Sequence, residues 1–359
     1  MSRSVVLVLN NDDIGKVFDV GDCLDALEHA YLAQAEGKAI TRSRIQTYVN
    51  LEERDISYCL KTMEGCLPQT GYMALRLTSD IISEVPVHGV PRREKLARGP
   101  GGTYCGLIVL FSLKELAPVA ILHDGHIQVH RVACTSALSA RLLANPDAGD
   151  LGLLGSSGQA WAHLLAMNAV RKLRRVRVFS PNSERCRIFA ERAVRELDLP
   201  VSAVESAQAA VEGADLVVAA TNTSRSIVDG SWLAPGAHVV SIVSGDQKTP
   251  RRELDNETMR RAALVVSHSR ELARSLGQPD LRVPVEAGIL SWDRIHDLSE
   301  VVANRAPRRA RADDITVFKN NVGLGLQFAA VAPLVYEAAR RAGLGHALPS
   351  ELFLESLKP

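Results

Sequence analysis

Residues 150–173 read DLGLLGSSGQAWAHLLAMNAVRKL, and the reading of this stretch decides the fold. A short apolar run, Asp150 to Leu154, ends in Gly155-Ser156-Ser157-Gly158-Gln159-Ala160, and an apolar stretch of helical length follows at once. Strand, glycine turn and helix in that order make the place where a dinucleotide fold holds its pyrophosphate. The first glycine permits the tight turn and the second lets backbone approach the phosphates. A small third residue lets helix pack on strand, and the helix N-terminus attracts the negative charge. As G-x-G-x-x-A, the stretch has Gly155 first and Ala160 last, with Ser157 at the second position and Gly158 one step late. All six turn residues are expected cofactor contacts.

Working outward, the next strand, RVRVFS, ends in Ser180-Pro181-Asn182-Ser183-Glu184-Arg185. NAD-binding folds place an acid near this strand end for the ribose 2′-hydroxyl. No acid stands at the strand end here. Ser180, Asn182, Ser183 and Arg185 suit a 2′-phosphate instead, which favours NADP(H) over NAD(H). The alternative is that they cap the following helix, as Ser183 could. Beyond it, VSAVES, DLVVAAT, HVVSIVS and ALVVSHS alternate with helical stretches. Short apolar strands alternating with helices predict a parallel sheet covered on both faces.

Upstream, SVVLVLN reads as a strand, and VGDCLDALEHAYLAQAEG as an amphipathic helix ended by Gly37. SYCLKTM, YMALRLTSDI and YCGLIVLFS read as strands. Between the last two lies a Pro-, Gly- and charge-rich segment, 84–104, with Arg92, Arg93, Lys95 and Arg98. It is long for a connection, and so reads as a lid over an anionic substrate or as a solvated basic loop. CTSALSARLLA reads as the helix leading into the regular block, and HIQVHR just before it as strand-like. Downstream, DITVFKNN precedes a helix, LGLQFAAVAPLVYEAARRAGL, apolar on so many sides that it must pack in a core or against another subunit.

The 359 residues suggest two domains. Lys and Arg number 42 against 41 Asp and Glu, which excludes a polybasic nucleic-acid binder and an acidic disordered chain. No apolar run approaches the roughly 20 residues of a membrane helix, and the first residues lack a signal-peptide cleavage pattern. Six scattered cysteines without Cys-x-x-Cys fit free thiols in a cytoplasmic protein. Cys66 and Cys105 lack the His-and-acid company of a nucleophile. The ten histidines show no ligand spacing, since His126 and His130 stand alone in a strand-like segment; no metal is expected.

The chain resembles the ornithine cyclodeaminase/μ-crystallin family. The resemblance rests on Arg131-Val-Ala-Cys-Thr-Ser-Ala-Leu-Ser-Ala, LGLLGSSGQA, Trp232-Leu-Ala-Pro-Gly-Ala-His-Val, Arg252-Glu-Leu-Asp-Asn-Glu and Ile315-Thr-Val-Phe-Lys-Asn-Asn-Val-Gly, in the family's order. It implies an α/β protein in which a central Rossmann-type domain, residues 133–319, is inserted into an α+β substrate and dimerisation domain, residues 1–132 and 320–359. It further implies a homodimer, with Thr221, Asn222, Thr223 and Val243 joining the cofactor contacts.

Hydride transfer at an amino- or imino-acid carbon needs a carboxylate clamp, for which Arg is suited, and a group that moves a proton at nitrogen. The resemblance supplies Arg44 (Arg42 in the other register) and Arg131 as clamps and Asp246 as the acid/base. Arg76 stands where the family usually has Lys; it can bind a carboxylate but cannot shuttle a proton. An ion pair to Asp80 or Glu64 is the alternative for it. Glu64, or Lys61 in its place, is the candidate for the family's acidic partner on the substrate side. Phe328 replaces a usual Asp. The resemblance therefore implies an NAD(P)H-dependent oxidoreductase on an amino acid or its cyclic or N-substituted imine. A cyclodeaminase and a non-catalytic, crystallin-like NADP(H) binder are the alternatives.

Overall fold

The computed structural model describes residues 5–53, 55–83, 86–87, 90–91, 94–245, 250–320 and 323–355. The chain divides into two compact units, Val132–Val322 and Met1–Arg131 with Gly323–Pro359.

The 132–322 unit is built on eight strands. Their order is Val201–Ala203, Arg175–Phe179, Asp150–Leu154, Leu216–Ala219, His238–Ser241, Ile315–Lys319, Ala262–Ser267 and Ile295–Asp297. Every pairing is parallel. The central strands Asp150–Leu154, Leu216–Ala219, His238–Ser241 and Ile315–Lys319 are almost wholly buried, as a sheet covered on both faces requires. Asp150–Leu154 pairs with the next strand in sequence on one side and with Leu216–Ala219 on the other. The strand order reverses there, at the point where such sheets bind their ligands. The helix Ser183–Leu197 buries Cys186, Phe189, Ala190 and Ala193, one stripe at helical spacing.

His238 is fully buried in this unit, its ring nitrogens bonded to Thr316 Oγ1 at 2.8 Å and Ser139 Oγ at 3.1 Å. Burial, reinforced by the charges of Arg309 and Arg171, pushes its imidazole down to about 3. The unfolded chain takes up this proton near the ordinary histidine value and the folded chain does not, so acid favours unfolding. Between pH 6.5 and 5 the group should remove roughly 2 kcal/mol of stability. Urea unfolding at the two pH values checks this. His238→Gln should lose less stability than the parent over that interval, and an equal loss would exclude His238 as the source.

The other unit carries a nine-stranded, mostly antiparallel sheet. Its main order is His346–Pro349, Val5–Leu9, Pro118–His123, Cys105–Ser112, Tyr72–Ser83, Ile56–Leu67 and Ile40–Thr41. Ile45–Asn50 pairs with Ile56–Leu67, and Glu94–Leu96 with Tyr72–Ser83. The apolar helix Gly325–Ala342 lies on this sheet, which resolves its expected packing in favour of a core. Its approach is so close that a Cβ on Gly65 would stand 2.2 Å from the Gly325 carbonyl carbon. Only glycine at both positions allows this.

Three expectations change. The seven residues Asn11–Val17 form a helix of their own, capped by Asn10, ahead of Val20–Ala35. Segment 84–104 is not one loop: Pro86–Val87 pairs with Val90–Pro91, and Glu94–Leu96 joins the sheet. In it Arg98 makes two exposed bonds to Glu53, at 2.6 and 2.7 Å, while Arg92 and Arg93 lie outside the described residues. HIQVHR is helical, part of Gly125–Leu143. His126 and His130 therefore stack one turn apart, centroids 4.1 Å apart, against Phe18. Among the described residues no group of three metal-ligating side chains occurs.

Candidate active site

In the 132–322 unit, the turn after Asp150–Leu154 has the shape its sequence calls for. Gly155 has φ of 115°, a conformation that suits glycine, and its N–H donates to the Phe179 carbonyl at 2.8 Å. A Cβ there would stand 2.4 Å from the Ala220 carbonyl oxygen. The helix starts at Gly158 behind an extended Ser157 whose side chain makes no capping bond. A Cβ on Gly158 would meet nothing within 4 Å. Ser157 and Gly158 are exposed, Ser156 and Gln159 half-buried and Ala160 buried. An uncapped helix N-terminus with open space before it leaves N–H donors for an anion, so these residues fit a dinucleotide pyrophosphate.

At the end of the next strand, Ser180 is half-buried while Asn182, Ser183 and Arg185 are exposed. The cap of the following helix is Asn182, whose Oδ1 accepts from Arg185 N at 2.9 Å; Ser183 is the first helical residue.

The loops that follow Leu216–Ala219 and His238–Ser241 are tied together from below by Glu253. Its Oε1 accepts from the Thr221 backbone N–H at 2.8 Å and the Thr221 hydroxyl at 2.7 Å. Its Oε2 accepts from Ile242 N at 2.8 Å and Val243 N at 2.9 Å. Thr223 N donates to Thr221 Oγ1 at 3.3 Å, which extends the support along that loop. Asn222 is exposed. Burial pushes the Glu253 carboxyl up, with Lys319 and the N–H donors opposing. Asp280 accepts from Glu253 N and Leu254 N at 3.0 and 3.1 Å and pairs with Lys319 at 2.6 Å. Lys319 directs its other two protons to Ser241 Oγ at 2.7 Å and the Val243 carbonyl at 2.8 Å. Glu253, Asp280 and Lys319 are all buried. Sequence reasoning misses all three; the one signal that could have found them is a lysine closing the apolar strand Ile315–Lys319. Asp246, the expected acid/base, lies outside the described residues.

In the other unit three guanidinium groups come together. Arg131 sits on the helix Gly125–Leu143, one face of which also carries Asp124 and Gln128 at its start. It is 2% exposed, donates to Gln128 Oε1 and Gln327 Oε1 at 2.6 Å each, and lies 5.1 Å from the centre of the Phe328 ring. Arg76 lies 5.0 Å from the same ring centre. A Cβ on Gly323 would fall 2.4 Å from the Arg131 guanidinium, so glycine there makes room for it. Burial, then the charges of Arg76 and Arg44, pushes Arg131 down to about 9, against the pull of Tyr31 and Asp124. Phe328 is a neutral spacer between two cations.

The buried Arg76 pairs with neither Asp80 nor Glu64. It donates to Asp124 Oδ2 from Nε at 2.8 Å and from Nη2 at 2.6 Å. Gly106 clears the space, since a Cβ on it would stand 2.0 Å from Asp124 Oδ1. Strand alternation also sorts the remaining candidates. Met63 is the register partner of Arg76 and Lys61 that of Thr78, so Lys61 shares the Arg76 face. Glu64 pairs with Leu75 and faces the other side. The acid on the Arg76 face is Asp80, bonded to Lys61 Nζ at 2.8 Å. Arg44 is half-buried and Arg42 exposed, with the Arg42 N–H on the Glu64 carbonyl.

A family model described as ornithine cyclodeaminase/mu-crystallin family matches residues 5–343. An uncharacterized cyclodeaminase of Sinorhizobium fredii is 27% identical over 325 residues, 90% of this chain and 92% of its own. A Delta(1)-pyrroline-2-carboxylate reductase of Bacillus cereus is 27% identical over 257 residues, 71% of this chain and 77% of its own. Among solved structures, the Delta(1)-pyrroline-2-carboxylate reductase of Thermococcus litoralis in complex with NADH and L-proline superposes with a TM-score of 0.81. It is 28% identical, with 95% of this chain and 99% of that one covered.

Proposed function

Because the chain belongs to the ornithine cyclodeaminase/mu-crystallin family, we propose that it is a nicotinamide-dependent oxidoreductase that reduces the C=N bond of a cyclic or N-substituted imino acid. Oxidation of the corresponding amino acid is the reverse reaction. The observation that carries this reading is the Arg76–Asp124 pair beside the buried Arg131. It is a clamp built of guanidinium groups, which hold a carboxylate bidentately.

Reduction of an imine adds a hydride to carbon and a proton to nitrogen. A bound nicotinamide supplies the hydride. Gly155, Ser156, Ser157, Gly158, Gln159 and Ala160 hold the pyrophosphate, and Thr221, Asn222, Thr223 and Val243 line the dinucleotide on loops that Glu253 fixes. Ser180, Asn182, Ser183 and Arg185, with no acid at the strand end, favour a 2′-phosphate and hence NADP(H). Arg44, Arg76 and Arg131 bind the substrate carboxylate, which relieves the repulsion among them. Asp246 is assigned, from the resemblance, the proton at the substrate nitrogen.

A cyclodeaminase must manage additional proton transfers as one amine displaces another. Arg76, neutralised by Asp124, cannot give up a proton for them. The Delta(1)-pyrroline-2-carboxylate reductases among the relatives need no such step. The test is spectrophotometric. With Δ1-pyrroline-2-carboxylate, NADPH absorbance should fall, and with NADH more slowly. Ammonia release from a diamino acid without net cofactor change would establish the cyclodeaminase instead. Tight NADPH binding with no turnover on any imino acid would leave a crystallin-like binder.

Ile45, Val49, Leu60 and Leu107 stand exposed on the sheet face opposite Arg76. Such an apolar face is suited to a second copy, which supports the homodimer. No helix among the described residues is long and apolar enough to cross a membrane, and the cytoplasm is the compartment this reading implies.

A further inference from the structure

The sheet face that carries Arg76 continues along Tyr72–Ser83 to Thr78 and Asp80, both 3% exposed. Lys61 bonds one Asp80 oxygen at 2.8 Å, and Lys95 bonds the other at 2.8 Å. One carboxylate thus holds two ammonium groups, and the cluster keeps one excess positive charge. The Thr78 hydroxyl, between Arg76 and Asp80 on the strand and opposite Lys61 in register, has no hydrogen-bond partner among the described residues. Leaving a buried hydroxyl unbonded costs about 1–3 kcal/mol. Each Asp80 oxygen already faces an ammonium group, and the Thr78 hydroxyl bonds neither the carboxylate nor the ammonium groups. Among the described residues, one carboxylate faces two ammonium groups and an unbonded hydroxyl, a set that a second carboxylate would complete. Two residues along a strand span roughly 7 Å, a distance that a short dicarboxylic amino acid bridges between two sets of binding groups.

We propose that Lys61, Thr78 and Lys95 form a side-chain subsite for a second carboxylate, so that the substrate is a dicarboxylic imino acid and the product a dicarboxylic amino acid. This rests on the proposed amino- and imino-acid reading and narrows it. Burial pushes the Lys61 ammonium down to about 8, against the pull of Asp80; a bound carboxylate would stabilise its charge.

The experiment is calorimetric titration of the full chain, saturated with NADPH, with L-glutamate against L-glutamine and L-aspartate against L-asparagine. Each pair differs in charge and hardly in shape. The acid should bind at least about tenfold more tightly than its amide. Thr78→Val disturbs no ion pair and should shrink that ratio about threefold or more. Lys61→Gln should shrink it further. Equal affinity for acid and amide, variants that weaken both alike, or no binding of either overturns the subsite. Reduction of Δ1-pyrroline-2-carboxylate by the same preparation tests the underlying reaction separately. Its failure overturns that reaction, whereas the subsite stands or falls on the acid-to-amide ratio.

Discussion

Arg131→Lys should lower kcat/KM for the imino acid by about 10²- to 10³-fold, roughly 3–4 kcal/mol, while the cofactor dissociation constant stays where it was. The size follows from the setting. Arg131 is 2% exposed, and its guanidinium is aimed by Gln128 and Gln327 and flanked by the Phe328 ring. A carboxylate meeting it there gains two parallel charge-assisted bonds with little competing water. Lysine keeps the charge but has a single donor centre and cannot satisfy two glutamine oxygens and a carboxylate in one plane. The split in effects follows from the chain's organisation: Arg131 belongs to the 1–131 and 323–359 unit, and the glycine turn to the other. Steady-state kinetics with a fluorescence titration of NADPH checks both. Cofactor and substrate affinity falling together would indicate a general loss of structure, and unchanged kinetics would remove Arg131 from the clamp.

The sequence carries the dinucleotide half more fully than the substrate half, for physical reasons. A strand, glycine turn and helix are contiguous, so 150–170 is legible in one window. The positive φ at Gly155 and the open space at Gly158 are what that window calls for. The partners of Arg76 are not legible in this way. Asp124 is 48 residues away, whereas Asp80 and Glu64, the partners that proximity suggests, are near neighbours in the chain. Strand alternation already holds part of the answer, because Glu64 and Arg76 fall on opposite faces once Met63 and Arg76 are paired. HIQVHR misleads because His126 and His130 alternate with apolar residues at short range. The longer signal, Asp124, Gln128 and Arg131 at helical spacing, spans the apparent boundary between strand and helix.

The Glu253 network is illegible for a different reason: its charged members come from three separate segments, and each looks ordinary alone. Its consequence is the largest stability effect expected in the 132–322 unit. Glu253→Gln should lower the unfolding free energy by about 3–5 kcal/mol and weaken NADPH binding at least about tenfold. The carboxylate accepts from Thr221 N and Oγ1 on one oxygen and from Ile242 N and Val243 N on the other. A glutamine keeps the size but turns one acceptor into a donor, so either the Thr221 loop or the Val243 loop then faces N–H against N–H. The same change leaves Lys319 with Asp280 as its only anion among these residues. Since both loops leave the C-terminal ends of neighbouring strands, where open α/β sheets bind their ligands, freeing one of them disturbs the cofactor as well as the core. Urea unfolding with an NADPH titration measures the two effects. Stability lost with cofactor affinity intact would make Glu253 a core residue alone. Neither changing would mean that the loops are held by other means.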